Sequence, residues 1–191
     1  MSEPDLSSID THYKNPIYKY HQFQGKTNNC GPTSLAISMN AFTHESTFNG
    51  EYIANELDHW LKHFPKLILP RISNWATFPW GLVQYLRYQK IPGKWSLFGS
   101  SEKLIANINS EVITMVIIGE PLRWRNEKYD GWSHIKVLYG NSPGYFFFVD
   151  PAYQQNDGSN NELSDSGIYR QSEEEFQKLW KNMFRIYIEL G

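Results

Sequence analysis

Residues 23–40 read FQGKTNNCGPTSLAISMN, and Cys30, the only cysteine of the chain, stands in the middle of them. Downstream of it the pattern predicts a helix over 31–42, with Pro32 tolerated in the first turn and Leu35, Met39 and Phe42 on an apolar face. Cys30 is therefore expected at a helix N-terminus. There the unpaired backbone N–H groups and the positive end of the helix dipole favour thiolate over thiol, and the thiolate is the nucleophilic form. Gln24 precedes Cys30 by six positions. Its side-chain amide could fold back and join the Cys30 backbone N–H in holding an oxyanion, as acyl transfer requires. A lone cysteine is more often a small buried hydrophobe, so Cys30 by itself decides nothing.

A second segment, residues 131–153, reads GWSHIKVLYGNSPGYFFFVDPAY. From His134 onward it alternates as a strand does, with Ile135, Val137 and Tyr139 on one face and His134, Lys136 and Leu138 on the other. NSPG at 141–144 predicts a turn, and 145–149 a second strand returning antiparallel. Asp150 is thereby carried back towards His134. A carboxylate beside the second ring nitrogen fixes the imidazole tautomer and stabilises the imidazolium that pairs with a thiolate. A histidine in a strand or an aspartate before proline is ordinarily structural, and only their joint placement with Gln24 and Cys30 is informative.

Together these residues carry a resemblance. Gln24, Cys30 with its GPTSLA helix, His134 and the VDPA ending in Asp150 resemble the papain-like fold, and more closely the bacteriocin-leader (double-glycine) peptidase family and its stand-alone relatives. The likeness reaches the tail, where relatives show a Ser-Glu-Glu-Phe helix and a last strand, matching 172–180 and 184–190. It implies an α+β papain-like fold in which an N-terminal helical part, with the cysteine at a helix N-terminus, packs on a C-terminal antiparallel sheet. It also implies Cys30 as nucleophile, His134 as general base and acid, Asp150 as orienting residue and Gln24 as oxyanion donor. Asn29, Gly31, Trp132 and Ser133, beside these groups, and Trp124 are expected to bind substrate. The transporter-fused members are not matched, since no run of about 18 apolar residues and no Gly-rich phosphate loop with Lys-Ser or Lys-Thr is present.

Composition bounds the remaining possibilities. The 191 residues, 40% hydrophobic and 20% charged, suffice for one domain with a sizeable core, expected over 1–191. A net charge of −2 without a basic run argues against nucleic acid or an anionic membrane as the main partner, while the resemblance implies a peptide or protein substrate. One cysteine permits no internal disulfide, and MSEPDLSSID has neither a basic n-region nor an apolar h-region. A cytoplasmic protein is expected, with oligomeric state unread.

Between the two segments the chain reads as helical over 50–64, over 78–89 behind a Thr77 cap, and after a Ser101 cap with Leu104, Ile105 and Ile108 inward. A buried strand is expected at 112–118, then a loop over 119–131 whose Arg123, Trp124, Arg125 and Tyr129 form a cleft wall, and a mobile loop over 154–171. Glu56, His59 and His63 share a helix flank, but the spacing is not HExxH and no third His or Cys joins them, so neither metal nor other cofactor is expected. The leading expectation is a cysteine hydrolase cleaving a peptide or isopeptide bond through an acyl-enzyme on Cys30. Its alternatives are an acyltransferase, transglutaminase or deamidase with the same triad, and a non-catalytic peptide-binding module.

Overall fold

The apolar pattern after Cys30 forms the helix it predicts, one residue longer at each end: α1, Cys30–Thr43. The computed structural model describes residues 7–60, 69–125, 128–153 and 167–191, and of 122–125 and 128–130 the backbone alone. Gly31 through Ala41 are all buried, so α1 is a central helix. It ends where His44 turns left-handed at φ 57°. A 3-10 turn, Ile17–Tyr20, precedes α1.

The helices that follow are set by their caps. Asn49 Oδ1 accepts from the N–H groups of Glu51 and Tyr52 and starts α2, Gly50–Asp58, which is shorter than the periodicity predicts. Trp60 is still buried, while 61–64 lie outside the described residues. A two-strand ribbon, β2 (Arg71–Ile72) with β3 (Ala76–Thr77), leads to α3, Pro79–Tyr88. Thr77 does not cap α3: the N-cap is Phe78, and Pro79 starts the helix through its fixed φ. The Thr77 hydroxyl instead accepts from Arg71 Nη1 at 3.3 Å. Nor does Ser101 cap α4, Ser101–Asn109. Ser100, the neighbour with extended backbone, does so by accepting from Lys103 N–H at 3.2 Å.

Among the described residues seven strands form one antiparallel sheet. Along it run β4 (Gly93–Ser96), β9 (Tyr187–Leu190), β5 (Ile113–Arg125), β6 (Lys128–Ser142), β7 (Tyr145–Val149) and β8 (Ile168–Ser172), and β1 (Thr11–His12) pairs with β6. Helices joined to an antiparallel sheet make this the expected α+β class. The loop expected over 119–131 is mostly strand: β5 and β6 continue as a ribbon, with Arg123↔Asp130, Trp124↔Tyr129 and Arg125↔Lys128 paired beyond an irregularity after Glu120. Its charged residues give no local strand signal, and the cross-strand pairing alone makes it a ribbon. His134 consequently lies in the middle of β6 rather than at its start. The hairpin to β7 turns at Pro143 and Gly144, the latter at φ 79°.

α5, Glu173–Asn182, is capped by Ser172 and leads into β9, which enters between β4 and β5. Phe176 packs on Phe146, Phe148 and Trp180, and the Trp180 indole N–H donates to Ile186 O at 2.8 Å. α1 lies against β5 and β6, where the Ser34 hydroxyl donates to Ile135 O at 2.8 Å. Of the stretch expected as a mobile loop, 154–166 lie outside the described residues, and Ile168–Ser172 is strand β8. No described helix is long and apolar enough to cross a membrane.

Candidate active site

Cys30 occupies the first turn of α1, partly buried. Burial alone would hold its thiol protonated. A hydrogen bond with His134 and its charge outweigh that, aided by the backbone N–H groups of Ile135 and Gly31, and the thiol is lowered from 9.0. Gly31 permits the close fit of this turn on β6, since a Cβ there would meet Thr77 Cβ at 3.0 Å and Ile135 Cδ1 at 3.3 Å.

Strand pairing delivers the other two groups. Val137↔Val149 is the last rung of β6 with β7, and beyond it the chain enters Asp150 and Pro151. His134 Nε2–H donates to Asp150 Oδ1 at 2.7 Å, and Ala152 N–H donates to the same oxygen at 2.9 Å. With Nε2 so engaged, Nδ1 is the ring nitrogen left for the thiol. Burial disfavours the imidazolium, yet the bonds to Asp150 and Cys30 push His134 up to about 9. Burial likewise opposes the Asp150 carboxylate, but His134, then the Lys136 charge and Ala152 N–H, keep it below its ordinary 3.8. The arrangement therefore favours a thiolate beside an imidazolium that a carboxylate holds in place.

Gln24 is tied to the same region by its backbone, whose N–H donates to Pro151 O at 2.9 Å. One hydrogen of its amide goes to Thr27 O at 3.1 Å, which orients the group and leaves the second hydrogen. Gln24 and Asn29 line a pocket of about 430 Å³ shared with Gln22, Thr27 and the start of α2. Asn29 Oδ1 accepts from Arg71 Nη2 at 2.6 Å. Trp132 is 47% exposed and Ser133 is exposed; they flank His134 opposite Glu120 and Gly119. Trp124 stands on β5 past the irregularity, and its side chain is outside the described residues.

Two neighbours were not anticipated. His21 Nε2–H donates to the Asp150 carbonyl at 3.0 Å, and burial lowers the pKa of this imidazole. Arg71, buried, bonds Asp58 Oδ1 through Nε at 2.9 Å while holding Asn29. Arg71 lies far from Cys30 in sequence and His21 only nine positions before it, and no local pattern marks either. On the flank considered for metal, His59 Nδ1–H donates to its own helix at Asn55 O, 2.8 Å away, and His63 lies outside the described residues. Among the described residues no three His, Cys, Asp or Glu side chains gather as a metal set.

Comparison with known proteins agrees with this fold. The model of the Peptidase_C39 like family matches residues 14–187. Among solved structures, a chain described as a candidate C39-like peptidase from Bacillus anthracis superposes with a TM-score of 0.65 at 17% identity, covering 95% of this chain and 98% of that one. At that identity the likeness concerns the fold. No curated protein matches. With nearly the whole chain inside the family match, and the fold found independently, this protein belongs to the Peptidase_C39 like family of papain-like cysteine peptidases.

Proposed function

We propose that the protein is a cysteine hydrolase that cleaves a peptide or isopeptide bond, with Cys30, His134 and Asp150 as its triad. The observation that carries this reading is the 2.7 Å bond from His134 Nε2 to Asp150 Oδ1, with the Cys30 thiol on the imidazole's other side. In the first step the Cys30 thiolate attacks the substrate carbonyl carbon and a C–S bond forms. The oxyanion is held by the Cys30 N–H at the helix start and by the free hydrogen of the Gln24 amide. Collapse of this intermediate breaks the C–N bond, and the leaving amine takes its proton from the His134 imidazolium. His134, now neutral, removes a proton from water, which attacks the thioester. The acid product leaves and the thiolate–imidazolium pair is restored.

In this reading Asn29, Gly31, Trp124, Trp132 and Ser133 are the substrate-binding residues, of which Trp132 and Ser133 are exposed beside His134. The test uses a proteome-derived peptide library, reading new N-termini by mass spectrometry. Wild type is expected to generate a recurrent set that Cys30→Ala does not. Identical N-termini in both would count against hydrolysis.

A further inference from the structure

The proposed triad leaves a charge imbalance. With thiolate, imidazolium and carboxylate all ionised, the centre carries a net single negative charge, and Asp150 is only 3% exposed. A buried carboxylate persists only with compensating charge and hydrogen bonds. His134 already answers to Cys30. Among the described residues one more cation acts on Asp150, in a position that a strand of this kind fills with an apolar side chain.

That cation is Lys136, 1% exposed, two residues after His134 on the same side of β6. Continuing the Val137↔Val149 register by one step sets Lys136 across from Asp150. Its Nζ donates to Gln171 Oε1 on β8, sits 3.7 Å from the Phe148 ring centroid and 5.6 Å from that of Tyr169. The ammonium is thus fixed by a neutral amide and two aromatic faces, which hold a cation without neutralising it. The charged groups that face it are Asp150 after β7, His134 on its own strand and Glu175 from the first turn of α5. On β5 its partner is the apolar Val116. Burial pulls Lys136 down to about 8 while Asp150 and Glu175 hold it up, so it remains a cation at neutral pH.

We infer that Lys136 is a positioning residue of this site: its buried ammonium keeps Asp150 ionised, and thereby keeps the imidazolium beside Cys30, without touching the reacting atoms. This rests on the triad reading. Lys136→Met preserves length and packing but removes the charge. Asp150 then takes up a proton at higher pH, its bond to the imidazolium weakens, and the acid limb of Cys30 thiolate formation moves upward by about one pH unit.

The experiment follows Cys30 alkylation by iodoacetamide against pH in wild type, Lys136→Met and Gln171→Met. The expected result is an acid limb displaced in Lys136→Met only, with rates above pH 9 as in wild type. A folded Lys136→Met with an unmoved limb overturns the inference, as does an equal displacement in Gln171→Met, which leaves the charge. If wild type itself titrates as an ordinary thiol, the triad reading fails instead. Where Lys136→Met does not fold, the lysine side-chain nitrogen signals of 15N-labelled wild type decide: a protected ammonium at pH 6 is expected, and a neutral amine there overturns the inference.

Discussion

His134 stands between two groups that each favour its protonated form, and the bond to Asp150 has two separable parts: direction and charge. Asp150→Asn retains an oxygen that can accept from Nε2–H, so the ring keeps its orientation, but the charge that stabilises the imidazolium is gone. Turnover is expected to fall about 10²-fold, whereas Cys30→Ala abolishes it by removing the attacking atom. Steady-state rates on any peptide found to be cleaved give the ranking, and equal losses in two folded variants would contradict it. The candidate residues stood out in the sequence only jointly, as a lone cysteine before a helix, a histidine on a strand and an aspartate one hairpin away. Lys136, Arg71 and His21 were not legible as parts of the site. Lysine and arginine are read as surface by default, and only register and burial show that two of them lie inside.

Among the elements, the loop before α1 is held by a strut rather than by its own cap. Asn29 makes no side-chain cap on α1; its Oδ1 is taken by Arg71, which also bonds Asp58 and Thr77. The α2 end, the β2–β3 ribbon and the residue before Cys30 are thereby locked together. Arg71→Met removes a cation whose side chain is 1% exposed and leaves Asp58, 20% exposed, with the Ser73 hydroxyl but no counter-charge from Arg71. Stability is expected to drop by about 3 kcal/mol, the lower end for a broken buried pair because Asp58 keeps some solvent. Urea unfolding measures it; a change within about 0.5 kcal/mol would show the strut to be dispensable. Element types were readable where an apolar period ran uninterrupted, as in α1 and the β6–β7 hairpin, whereas α5 came through the family resemblance. Boundaries failed where neighbours competed for one role, Ser100 against Ser101 and Phe78–Pro79 against Thr77. The 119–131 ribbon failed because cross-strand pairing, invisible locally, overrode its loop-like charge content.

At the scale of the whole molecule, the fold brings together what the sequence separates by about a hundred positions. α1 presents Cys30 against β6, the β6–β7 hairpin returns Asp150 to His134, and Gln24 is tied by its backbone to Pro151. That assembly was foreseeable only through the family resemblance, since spacing predicts each element but not how a helix and a sheet dock. The central claim is that docking creates an ion pair. The rate of Cys30 alkylation against pH, in wild type and His134→Ala and read by intact mass, tests it most directly. Cys30 is lowered from 9.0 and His134 raised to about 9, so the thiolate forms on the acid side while the imidazolium persists up to that value. Fast labelling of wild type below pH 7 is predicted, with His134→Ala slow there and rising only at alkaline pH as a lone buried thiol ionises. Slow wild-type labelling with the same late rise would contradict the account.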